Sequence, residues 1–140
     1  MKKKKRIFVV VDTNVVVSGM ITKNMDSPTV SVLESLTEKA ITPLYCDEIL
    51  KEYGDVLGRE KFHLPLEKIE KFIEMVQSDG VASHRVPTKE ILPDPKDVVF
   101  YEVALSKEDS FLVTGNIRHF PQVDFVVTPA EMVEIIKQNS

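Results

Sequence analysis

The sequence is short of cysteine, of long apolar runs and of surplus positive charge, and each shortage closes off a class of function. Cys46 stands alone, so neither an internal disulfide nor a cysteine-based zinc site can form, and a single thiol fits a reducing, cytoplasmic setting. No apolar stretch approaches the ~18 residues of a membrane-spanning helix. The basic run at residues 2–6 precedes only a short apolar stretch that turns polar at Asp12, which argues against a signal peptide. Lysine and arginine number 18 against 22 aspartates and glutamates, a formal net charge of −4. The surface as a whole therefore does not attract nucleic acid, and any polyanion has to be held locally, by a metal ion or a small basic patch. No internal repeat and no low-complexity segment beyond the lysine run divides the chain. Its 140 residues, 43% of them hydrophobic, suit a single domain spanning 1–140, with residues 1–6 as a solvated basic tail.

What is present is organised around Ile7-Phe8-Val9-Val10-Val11-Asp12-Thr13-Asn14. An apolar, β-branched run of this kind predicts a buried strand of a parallel sheet. It ends abruptly in a carboxylate, a hydroxyl and an amide, at the carboxyl end of the strand, where open α/β sheets bind ligands. Helix capping accounts for one of the three polar residues, but not for all of them in a row.

The rest of the chain alternates strand and helix. A short helix or turn follows Asn14. Ser27-Pro28 opens a helix, with Ser27 as cap and Pro28 in its first turn. Residues 40–45 predict a second strand, in which Pro43 indicates an edge position. Residues 47–57 form a helix with Ile49, Leu50, Tyr53, Val56 and Leu57 as its apolar stripe, and Glu52 lies nearer that stripe than Glu48 or Asp55. Residues 58–63 are a loop. A helix over 64–78 turns Leu66, Ile69, Phe72, Ile73 and Val76 inward, and residues 81–86 are a strand or extended chain. Asp94-Pro95-Lys96-Asp97 is a turn feeding a helix over 98–107 that is apolar nearly all round, hence buried. Capping takes care of one of these two aspartates. Phe111-Leu112-Val113 is a buried strand ending in Thr114-Gly115-Asn116, the same apolar-then-polar pattern as the first. Phe125-Val126-Val127 is a last strand, and Thr128-Pro129-Ala130-Glu131 starts the final helix with a capping box. The alternation calls for a parallel sheet covered on both faces.

Asp12, Glu52, Asp97 and Asn116 can converge above neighbouring strands of such a sheet. Three crowded carboxylates repel and raise each other's pKa values, and a bound cation resolves the conflict. Oxygen ligands select Mg²⁺ or Mn²⁺ over zinc. Such an ion suits phosphodiester hydrolysis, because it neutralises the phosphate and acidifies the attacking water.

Four segments, Val11-Asp12-Thr13-Asn14, Ile49-Leu50-Lys51-Glu52-Tyr53, Asp94-Pro95-Lys96-Asp97 and Val113-Thr114-Gly115-Asn116, together resemble PIN-domain ribonucleases in order and spacing over nearly the whole chain. The resemblance is nearest to the toxin branch of bacterial and archaeal toxin–antitoxin systems. It implies a three-layer α/β/α sandwich with a central, mainly parallel sheet of four to five strands, and a Mg²⁺- or Mn²⁺-dependent endoribonuclease acting on RNA. It also implies a homodimer with an antitoxin protein as partner. Asp12, Glu52 and Asp97 match the three core acids that would serve as catalytic residues and metal ligands. Thr13, Asn14 and Thr114 match accessory polar positions. Asn116 stands where many members carry a fourth acid, so one firmly held ion is expected and a second would bind more weakly. Arg118, His119, Arg59 and Lys96 are the basic groups expected near the RNA backbone.

Two other readings compete. A PIN fold that holds RNA or an antitoxin without cutting draws support from Asn116 and from the acidic charge balance. A phosphotransfer domain using Asp12 as nucleophile fits less well. A haloacid-dehalogenase-like phosphatase carries a second aspartate two residues on, where this chain has Asn14. A response-regulator receiver needs an acidic pair at the end of the first strand and a later lysine, and neither is clearly present.

Overall fold

The most apolar stretches of the chain become its strands. The computed structural model describes residues 5–139. Among them, β1 (Phe8–Val11), β2 (Thr42–Tyr45), β3 (Val81–Ala82), β4 (Phe111–Val113) and β5 (Val126–Val127) form one sheet in the order β3-β2-β1-β4-β5. Every pairing is parallel. The helices α1 (Thr13–Ile21), α2 (Pro28–Thr37), α3 (Asp47–Leu57), α4 (Leu66–Asp79), α5 (Val98–Ala104) and α6 (Pro129–Gln138) flank the sheet, giving the three-layer α/β/α sandwich that the alternation implied. No helix among the described residues is long and apolar enough to cross a membrane. Residues 1–4 of the expected basic tail lie outside the described residues. The chain from Lys5 onward is held, because Lys5 N–H donates to Asn139 Oδ1 (3.1 Å) and Asn139 Nδ2 donates to the Lys5 carbonyl (2.8 Å).

The strand order fixes where a ligand site can lie. From β1 the chain steps outward to β2 and β3, then returns to the other side of β1 for β4 and β5. The two halves part above the carboxyl ends of β1 and β4, the switch point at which open α/β sheets bind ligands. Register places Val11 beside Val113, so the residues that follow, Asp12 and Thr114, emerge side by side.

Helix boundaries follow their caps. Ser27 Oγ accepts from Thr29 N–H at the start of α2, and Thr128 and Glu131 form the expected capping box on α6. Tyr53 anchors α3: it is 2% exposed, lies edge-on to Phe72 at 5.4 Å, and donates its hydroxyl to the Val11 carbonyl at the end of β1.

Several expectations change. Pro43 does not mark an edge, since β2 lies between β1 and β3. The Thr42 N–H donates to Ile7 across the β1 side. Alternation along the strand therefore points the missing Pro43 donor toward β3, which pairs only from Leu44 onward. Leu66 is 68% exposed rather than inward, because α4 begins at that residue and the first turn overhangs the core. The loop at 58–63 contains a 3₁₀ turn, Glu60–Phe62, and α5 stops at Ala104, short of Lys107. The sequence reading also overlooked Glu102, 8% exposed on α5. Its carboxylate accepts from Arg85 Nε (2.7 Å) and Thr88 N–H (2.9 Å), pinning the extended strap after β3 to the helix.

Replacing Tyr53 by Phe removes the donor to a buried carbonyl while keeping the ring. We expect a loss of about 1–3 kcal/mol in unfolding free energy, measured by urea denaturation.

Candidate active site

A cleft opens at the switch point, between α1, α3 and the turn that leads into α5. Asp12, Thr13, Asn14, Glu52, Asp97, Asn116, Arg59, Lys96 and His119 all line it. Thr114 lies just behind, fully buried against Asp12. The structure thus brings together every sequence-predicted site residue except Arg118, which is exposed but does not line the cleft. The 3₁₀ turn Ile117–His119 directs His119 inward and leaves Arg118 outside.

Asp12 is 4% exposed. Its Oδ2 accepts from Thr114 Oγ1 (2.8 Å), and Thr114 Oγ1 in turn accepts from Asn116 N–H (3.0 Å). Burial pushes the Asp12 carboxyl up to about 6 from 3.8. The Thr114 hydrogen bond works against this rise, and the charge of Asp97 adds to it. Asp12 has the backbone shape of an N-cap but makes no side-chain cap bond. Asn14 Oδ1 accepts from Gly115 N–H (3.2 Å), lacing the start of α1 to the end of β4. Thr13 is 7% exposed, and its Oγ1 is buried with no hydrogen-bond partner. A buried hydroxyl left unpaired at a cleft wall is an available donor or acceptor for a ligand.

The two aspartates of the turn divide their work. Asp94 accepts from Lys96 N–H (3.0 Å) and caps the 3₁₀ turn Pro95–Asp97. Asp97 is thereby spared from capping, although it stands at the start of α5. Its Oδ2 lies 3.2 Å from His119 Nδ1. An ionised carboxylate only accepts, so Nδ1 carries the proton. Burial raises the Asp97 carboxyl, the charges of Asp94 and Glu52 add to that, and His119 opposes it. Asp12, Asp97 and Glu52 are thus close enough to be linked electrostatically. Glu52 is half-buried on the cleft side of α3.

One expectation narrows. Among the described residues, no three His, Cys, Asp or Glu side chains close into a ready-made metal cage. The acids share a cleft rather than a tight ligand set. Such a donor set still fits Mg²⁺ or Mn²⁺: Mg²⁺ keeps several waters and takes one or two carboxylates together with substrate phosphates. The hard oxygen donors, the raised Asp12 and the unpartnered Thr13 hydroxyl all suit a hydrated divalent ion.

The model of the PIN domain matches residues 8–118. The chain belongs to the PIN-domain family. Its fold is accordingly of the nuclease type, and PIN domains are generally nucleases. No curated protein and no solved structure gives a significant match. The PIN match includes Asp12, Glu52, Asp97, Thr114 and Asn116; it ends one residue before His119. Sequence reasoning missed the apolar part of the cleft wall, to which Val17, Ile21, Val56 and Phe62 contribute. Spacing gives a partial signal for it, since Val17 and Ile21 follow Asn14 at helical intervals; nothing in the loop sequence marks Phe62.

The raised Asp12 carboxyl sets a pH dependence. The folded chain holds this proton to about 6, the unfolded chain only to about 3.8. Stability from this group is therefore greatest below the lower value and is lost as pH rises through the interval; above it the folded state bears about 3 kcal/mol. Without divalent ions, Asp12→Asn should gain up to about 3 kcal/mol at pH 7 and lose that decline, as measured by urea unfolding across the interval.

Proposed function

We propose that this PIN domain is a Mg²⁺- or Mn²⁺-dependent endoribonuclease. The observation that carries the reading is the buried, destabilised Asp12 facing Asp97 across a cleft that Glu52 also lines. The bound ion would neutralise phosphate charge and acidify the attacking water.

The chain's own residues divide the rest. Asp12 and Asp97 would hold the ion, the first anchored by Thr114 and the second by His119. Glu52 orients the nucleophilic water and takes its proton at a carboxylate oxygen. The Asn116 amide brings an acceptor oxygen and no charge to the cleft, which would favour one firmly held ion. Arg59 and Lys96 form no ion pair among the described residues, so both are available to RNA phosphates. His119 serves Asp97 rather than the RNA backbone. Water would add to phosphorus as the P–O bond to the 3′ oxygen breaks, and that oxygen would take a proton from solvent, leaving a 5′ phosphate and a 3′ hydroxyl.

A second reading, a PIN fold that binds RNA or an antitoxin without cutting, is favoured by Asn116 at the position of a fourth acid. Mn²⁺-dependent cleavage of an unstructured RNA separates the two. We expect cleavage by the wild-type chain and a loss of at least about 100-fold in Asp12→Asn and in Asp97→Asn, with both variants folded by circular dichroism. Wild-type rates in either variant would refute the assignment, and RNA binding without cleavage would favour the second reading. The resemblance to toxins further implies that expression of the chain alone arrests growth and that Asp12→Asn relieves the arrest.

A further inference from the structure

We propose that the outer part of the same cleft is a subsite for one unpaired nucleobase of the RNA, with Phe62 as its stacking platform. This rests on the ribonuclease reading and names what that reading leaves open, the form of RNA that is engaged.

The cleft wall changes character with distance from the acids. Along α1 the lining residues pass from Asn14 through Val17 to Ile21, and along α3 from Glu52 to Val56, with Arg59 and Phe62 in the turn that follows. Seven residues of helix cover about 10 Å. The acids and amides thus give way, over about that distance, to Val17, Ile21, Val56 and Phe62, with the hydroxyls of Ser18 and Thr22 beside them and Arg59 at the end. That is far enough to lodge the nucleotide next to the scissile phosphate. Ile21 is 45% exposed there, a large aliphatic side chain held open to water inside a polar cleft.

The surroundings of the ring select the occupant. The Lys61 ammonium lies 5.1 Å from the Phe62 ring centroid, and Arg59 is free of ion pairs among the described residues. Lys61 covers one face of the ring, so the other face suits a base while Lys61 and Arg59 take phosphates, the pairing that single-strand binders use. A base within a duplex keeps its faces stacked on its neighbours and cannot supply one. The platform is also fixed in advance. Phe62 N–H donates to the Arg59 carbonyl (3.0 Å) and His63 N–H to the Glu60 carbonyl (3.0 Å), and His63 turns the chain away at φ 51°. A preformed ring loses little freedom on binding.

The test is a coupling experiment on kcat/KM for Mn²⁺-dependent cleavage of an unstructured eight-nucleotide RNA, intact or with one abasic nucleotide moved along it. In the wild-type protein, one abasic position should cost about tenfold. Phe62→Ala should lose about tenfold on intact RNA and nothing further at that position. Phe62→Tyr should restore the wild-type pattern; Phe62→Leu, which keeps the apolar bulk, should not. Thermal midpoints serve as the fold control. Equal abasic penalties in wild type and Phe62→Ala would overturn the subsite, as would equal Phe62→Ala losses on single-stranded and duplex RNA. If Phe62→Ala cleaved normally but lost a bound protein partner, the wall would belong to that partner and the base assignment would fall. A wild-type chain that cuts no RNA would remove the ribonuclease reading itself, a result distinct from an active enzyme without coupling.

Discussion

One hydrogen bond, from the Thr114 hydroxyl to the Asp12 carboxylate, carries the architecture of the cleft. It spans 102 positions of sequence and exists only because β1 and β4 are neighbours in register. That adjacency requires the crossovers to reverse direction after β3. The bond offsets only part of the cost of burying the carboxylate, whose proton is still held to about 6. The fold thus keeps an uncompensated negative charge at its switch point. Any cation that binds the native state alone then contributes its binding free energy to stability.

A comparison of two buried carboxylates separates scaffold from site. Glu102 is 8% exposed and Asp12 is 4% exposed, so burial alone does not distinguish them. The Thr88 N–H and the Arg85 guanidinium hold the Glu102 carboxyl below its ordinary value, and the group is satisfied within the chain. At Asp12 burial outweighs the Thr114 hydroxyl and the Thr13 backbone, Asp97 adds repulsion, and the carboxyl rises. A carboxylate whose partners are complete has a structural task; one left short of partners in a cleft awaits a ligand. The same economy governs the turn before α5, where Asp94 does the capping and Asp97 stays free to face the cleft.

The sequence made the strands and most helices legible because their hydrophobic periods are unmixed: β4 and α3 lie at their expected positions, and the Thr128–Glu131 capping box forms as its spacing requires. Asp12 and Asp97 are legible because each stands where an apolar element meets a polar break, and Glu52 because it borders the apolar stripe of its helix. Other features were hidden because they depend on partners. Whether Pro43 is tolerable inside a sheet depends on which neighbour its missing N–H would have faced. The burial of Glu102 depends on Arg85, seventeen positions earlier. Arg118 and His119 are adjacent in sequence, yet a 3₁₀ turn sends only one of them into the cleft. Phe62 becomes a cleft residue only once α1 and α3 pack together.

The charge balance of the cleft then constrains the order of events. Asp12, Glu52, Asp94 and Asp97 meet Arg59 and Lys96 along its wall, in a chain that is acidic overall. A polyanion entering this cleft meets four acids and is attracted only by Lys96 and Arg59. On the proposed reading, a divalent ion bound first would reverse the sign where the phosphate must sit, and by linkage ion and RNA would each raise the other's affinity by the same factor. A module built to hold RNA without cutting gains nothing from repelling it in the absence of an ion, so the placement of the acids is better suited to the ion-dependent nuclease that we propose than to a passive binder.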